Sequence, residues 1–105
     1  MMSTFRRDDV EIAFLDQGAG DPILLIHGFA SNAAVNWVHP GWFATLNAAG
    51  RRVIAFDNRG HGASTKCYEP TAYNSATMAE DARALLDYLE VSRATGIAFE
   101  EIQVV

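Results

Sequence analysis

Two short stretches combine residue types that could do chemistry, and each follows an apolar run. The first is His27-Gly28-Phe29-Ala30, directly after Ile23-Leu24-Leu25-Ile26. Gly28 lets the backbone turn sharply where a side chain would obstruct it. Loops at the carboxyl ends of strands in open α/β sheets are where ligands bind, so this segment is both a core element and a candidate site. The second is Asp57-Asn58-Arg59-Gly60-His61-Gly62-Ala63-Ser64, after Val53-Ile54-Ala55-Phe56. Two glycines among alternating polar groups predict a tight, self-bonded loop, with Asp57 paired to Arg59 and Ser64 satisfying turn amides. A phosphate-cradling loop is excluded, because the lysine and the glycine spacing it needs are absent. His27, His39 and His61 have no local spacing that suits a metal, and neither a metal nor a cofactor is expected. Cys67 has no base nearby to make it a nucleophile.

The elements that must position these loops follow from the apolar patterning. Ile23–Ile26 is a run of branched residues bounded by Asp21-Pro22 and Gly28, as in a strand buried on both faces. Val10–Leu15 alternates apolar with polar or small residues, which predicts a half-buried strand. It is preceded by a weakly strand-like Ser3–Arg7 and an Asp8-Asp9 turn. The turn cluster Gln17–Pro22 then delivers the chain into the buried strand. Pro40 suits the first turn of a helix, Trp42, Phe43, Leu46 and Ala49 fall at helical spacing, and Gly50 is placed to end it. The two tryptophans are read as packing that helix on the sheet rather than as a ligand platform. Two exposed arginines, Arg51 and Arg52, lead into Val53–Asp57, a second buried strand. Strand, helix and strand form a β-α-β unit, so the two buried strands should run parallel. Further on, Thr77 and Glu80 form a capping box. Met78, Ala82, Leu85 and Leu89 then make an apolar stripe, with Asp81, Arg83, Asp87 and Glu90 assigned to a solvated face.

Composition narrows the function classes. The chain has 105 residues, half of them hydrophobic, enough for one domain with a real core and too apolar for disorder. A net charge of −5 leaves no basic patch for nucleic acid or an anionic membrane, so neither is an expected partner. A single cysteine cannot close an internal disulfide and suits a reducing interior. The N-terminus carries no apolar run fit for a signal peptide and no window reaches transmembrane length, so the expected location is cytoplasmic.

Together the motifs resemble the N-terminal part of an α/β-hydrolase. Strand-His-Gly-Phe is followed about thirty residues later by strand-Asp-x-Arg-Gly-x-Gly-x-Ser, and the similarity runs from about Val10 to Arg93. The resemblance implies an α/β fold: a partial hydrolase sheet, mostly parallel with an N-terminal antiparallel hairpin, with helices packed on it. Residues 1–105 would be a single domain equivalent to less than half of a complete member. It also implies hydrolysis of an ester, lactone or related small-molecule substrate through an acyl-enzyme. The backbone N–H of Phe29 would be one oxyanion-hole donor, with His27, Gly28 and Ala30 shaping its loop. Losing one such donor costs about 2.7–4 kcal/mol of catalysis. Asp57, Arg59, Gly60, Gly62 and Ser64 would form a structural loop.

The family presents its nucleophile at a strained Gly-x-Ser-x-Gly elbow. With Ala98 at the first elbow glycine, Glu100 falls at the nucleophile position and Ile102 replaces the second glycine. The acid and histidine of the triad are not found either. The expectation is a truncated family member, inactive as this chain. The rival reading is a non-catalytic module that binds itself or a partner. In the family's strand order the buried strand lies between the Val53 strand and the elbow strand. The tail from Gly96 is β-prone enough to fill that last place, leaving a flat apolar edge and predicting a homo-oligomer.

Overall fold

The computed structural model describes residues 2–27, 32–66 and 75–98. Five strands form one mixed sheet: β1 (Ser3–Arg7), β2 (Val10–Gln17), β3 (Pro22–Ile26), β4 (Arg52–Phe56) and β5 (Thr95–Ala98), in the order β1-β2-β4-β3-β5. β2 pairs antiparallel with both β1 and β4, while β3 pairs parallel with β4 and β5. The apolar runs therefore sit in the middle of the sheet, as their burial on both faces requires. The β-α-β expectation holds, with Ile23 opposite Val53 and Ile26 opposite Phe56. β5 takes the place beside β3 within its own chain, with Ile26 opposite Ala98.

Alternation along the strands divides the core in two. Phe5, Ile12, Phe14, Leu24, Ile54 and Phe56 face α2 (Ser75–Tyr88) and pack with its Leu85 and Leu86. Ile23, Leu25, Val53 and Ala55 face the other way, onto Ala33, Trp37 and Phe43. Phe43 belongs to α1 (Trp42–Ala48), after which Gly50 takes up a left-handed φ of +85°. Among the described residues, no helix is long and apolar enough to cross a membrane.

Several local expectations are corrected. The helix over the second face does not start at Pro40. Ala34–Val38 already forms a π-helical turn, with the His39 N–H donating to Ala34 O at 2.8 Å. The Asn32 side chain opens it by accepting from the Val35 N–H at 3.0 Å, and Pro40, lacking a donor, falls in the break before α1. Trp37 packs against the sheet as expected, but Trp42 is 52% exposed. Arg51 and Arg52 are half-buried rather than exposed, because Arg52 grips the Asp16 carboxylate through Nε at 2.9 Å and Nη2 at 2.7 Å. That grip holds the Arg52 guanidinium more firmly charged than usual, against a smaller opposing effect of desolvation. Thr77 is not a cap: α2 begins at Ser75, so Thr77 and Glu80 both lie inside the helix, and Glu80 reaches Arg7 instead. Asp81 is not solvated. It stands three residues after Met78 and four before Leu85, which is the buried face, and it is 1% exposed.

Candidate functional site

β3 and β4 are adjacent and parallel, so the loops after them leave the sheet at one end, side by side. His27 directly follows β3 and is 3% exposed. Its Nε2 accepts the backbone N–H of Asn58 at 2.9 Å. A backbone amide can only donate, so this ring is neutral at Nε2 and carries its proton on Nδ1. The His61 ring lies 5.0 Å away, and its Nδ1 is 3.0 Å from the carbonyl oxygen of Arg59.

Asp57 joins the two loops. Its Oδ1 accepts from the Ala33 N–H at 2.8 Å, beyond the first loop, and its Oδ2 accepts from the Ala63 N–H at 2.9 Å, in the second. Gly62 turns between them with φ +51°, and a Cβ there would overlap the Asp57 carboxylate. Only glycine fits both the backbone conformation and the space. The expected Asp57–Arg59 pair does not form, because the Asp57 carboxylate is occupied by these amides.

Arg59 points away, to the underside of the loop, and forks onto Asp81 through Nε at 2.7 Å and Nη2 at 2.8 Å. Arg7 of β1 shares the same carboxylate through Nη1 at 2.6 Å and reaches Glu80 through Nη2 at 2.8 Å. The hydrogen bond to Asp81 is the main reason the Arg7 guanidinium is held more firmly charged than usual, with desolvation opposing it. One buried carboxylate thus ties the loop after β4 to β1 and α2. Arg7 carries no signal in the sequence, whereas Asp81, assigned above to the solvated face, is marked as buried by its place within the Met78–Leu85 stripe.

Ser64 also bonds differently from the expectation. Its hydroxyl donates to Asp57 O at 2.6 Å and accepts from the Ala13 N–H of β2 at 2.9 Å, so it serves strands rather than turn amides. The Gly60 N–H donates to Thr65 O at 2.7 Å, and the Thr65 N–H donates to Glu11 O at 2.9 Å. The second loop is therefore laced onto β2, and its only serine hydroxyl is buried and committed at both ends. The arrangement positions backbone and excludes Ser64 as a nucleophile. Among the described residues, no group of three or more His, Cys, Asp or Glu could hold a metal. Gly28, Phe29, Ala30, Cys67, Glu100 and Ile102, named above on sequence grounds, lie outside the described residues, as does Ser31.

A parallel-centred sheet with helices on both faces and a braced loop at the carboxyl end of its central strand β4 defines an α/β-hydrolase core. The family model of the alpha/beta hydrolase fold matches residues 21–99, and the chain belongs to that family. It is 39% identical over 95 residues to a non-heme chloroperoxidase of Kitasatospora aureofaciens, covering 88% of this chain and 32% of that protein. It is 33% identical over 88 residues to an epoxide hydrolase of Caballeronia sordidicola, covering 81% of this chain and 25% of that protein. In three dimensions it is similar to a crystal structure of an epoxide hydrolase from Vigna radiata. The TM-score is 0.85 at 25% identity, over 96% of this chain and 30% of that one. The chain thus spans a third or less of the length of these proteins.

Proposed function

We propose that residues 1–105 supply the oxyanion-loop half of a hydrolase-type site and are inactive on their own. The observation that carries this is the register of β5 on β3. Ala98 lies opposite Ile26, so the strand after which the family places its nucleophile ends beside the strand that leads into His27-Gly28-Phe29. The Phe29 N–H is the oxyanion donor in this reading, with His27, Gly28 and Ala30 holding its loop. Asp57, Arg59, Gly60, Gly62 and Ser64 form a structural loop beside it and do not touch substrate. Two positions beyond Ala98 the sequence has Glu100, which is not the Ser, Cys or Asp the family uses, and Ile102 denies the elbow its second glycine. The activity to which such a half-site belongs is hydrolysis of small-molecule esters, lactones or related substrates. The chloroperoxidase and epoxide hydrolase relatives widen that class rather than narrow it. A single free cysteine suits a cytoplasmic, reducing setting. Purified chain assayed on small activated esters is expected to show no turnover above buffer. Turnover abolished by mutating Ser64, Cys67 or Ser31 overturns the reading.

A second reading, self-association, is favoured by an asymmetry between the two sheet edges. β1 carries Arg6 and Arg7, charges of the kind that discourage edge-to-edge pairing, whereas β5 is Thr-Gly-Ile-Ala with Ile97 38% exposed. A homo-oligomer paired along β5 predicts sedimentation above 11.5 kDa that rises with concentration. A single species of monomer mass throughout ends that reading.

A further inference from the structure

The chain has seven arginines, all within the described residues. Five sit beside a carboxylate: Arg6 by Glu11, Arg7 by Asp81 and Glu80, Arg52 by Asp16, Arg59 by Asp81, and Arg83 by Asp87. Arg51 and Arg93 form no ion pair among the described residues, and both line the same groove. It is an open groove of about 400 Å³ at the amino ends of β3, β4 and β5, bordered also by Asp21, Pro22, Ala94 and Thr95. In a chain of net charge −5, a groove bordered by two arginines and a single aspartate is locally cationic. Arg51 is also set in place. Its backbone N–H donates to Leu46 O at 3.2 Å at the end of α1, and its Nε donates to the Asp21 carbonyl oxygen at 3.1 Å. Part of the ordering entropy of a ligand contact is thereby already spent.

We propose that this groove binds the phosphate group of a small phosphate ester or of inorganic phosphate, through Arg51 and Arg93 with the Thr95 hydroxyl as a third donor. Two guanidinium forks and a hydroxyl match a tetrahedral dianion better than a carboxylate, which one fork can saturate. Asp21 repels a bare anion but accepts from a hydroxyl group, so it favours a hydroxylated ester over phosphate itself. The groove lies at the opposite ends of the parallel strands from His27 and Asp57. Its test is therefore a binding measurement, independent of any hydrolytic reading.

The isotopically labelled chain is titrated with inorganic phosphate, glycerol 3-phosphate, glycerol and chloride at constant ionic strength, and its amide resonances are followed. Saturable shifts are expected at Asp21, Arg51 and Arg93–Thr95 with either phosphate compound, stronger with the ester, and none with glycerol or chloride. Arg93→Gln, an exposed change that should leave the rest of the spectrum intact, is expected to weaken binding at least tenfold. Arg51→Gln should do the same. Shifts that fail to saturate, that spread equally to Arg6 and Arg83, or that persist at the same affinity in Arg93→Gln overturn the proposal.

Discussion

Asp81 is the side chain on which most buried charge depends. It is 1% exposed and holds Arg59 and Arg7 together, so removing its charge takes the shared carboxylate from the buried Arg59 and leaves Arg7 with Glu80 alone of its two carboxylates. Breaking such a buried arrangement costs about 3–5 kcal/mol, a large part of the stability of a small domain. Asp81→Asn is therefore expected to lower the urea midpoint sharply or to abolish cooperative unfolding. The exposed Arg83–Asp87 pair is the internal control. An i, i+4 pair in solvent contributes about 0.3–0.5 kcal/mol, so Asp87→Asn should barely move the same midpoint. Equal losses in the two variants would show that Asp81 is not the tie described above.

Among elements, the decisive relation is between β2 and the loop after β4. Ser64 and Thr65 extend the pairing of β4 with β2 beyond the last strand residue: Ser64 Oγ accepts from Ala13 N–H, and Thr65 Oγ1 accepts from Glu11 N–H at 2.9 Å. Ser64→Ala removes the acceptor of a buried amide, which costs about 1–3 kcal/mol where nothing replaces it. The expected signature is local. Amide exchange at Ala13 should accelerate, while exchange in the β3–β5 pairing stays unchanged. A variant with unaltered exchange at Ala13 would mean that water takes over the bond.

At the scale of the whole molecule, the open question is what happens at the β5 edge. Thr95 and Ile97 lie on the same face as Ile23 and Leu25 by register, yet they are exposed where their β3 neighbours are buried. An apolar side chain on an uncharged edge strand is a template for another chain. Ile97→Lys places a charge on that edge. It is expected to shift a self-associating chain to monomer in sedimentation and to leave its thermal unfolding nearly unchanged. Loss of folding in this variant would show instead that Ile97 belongs to the core.

Much of the architecture was legible along the chain, because the apolar runs at Ile23–Ile26 and Val53–Phe56 have only one stable use. Branched residues buried on both faces belong at the centre of a sheet, and a helical connection between them makes them parallel. The two loop motifs were legible for the same reason: each is the first polar segment after such a strand. What the sequence could not decide was the choice of partner within reach. Asp57 and Arg59 are two residues apart and of opposite charge, so local reasoning pairs them. Folding brings the Ala33 and Ala63 amides to Asp57 and carries Asp81 to Arg59, across a separation of 22 residues. The bond of Ser64 to β2 spans 51 residues and has no local signature. Backbone amides look alike in any sequence and carboxylates are plentiful, so which of them meet is settled by the packing of β2 and α2 around β4. Patterning determined the sheet, and tertiary structure decided the wiring.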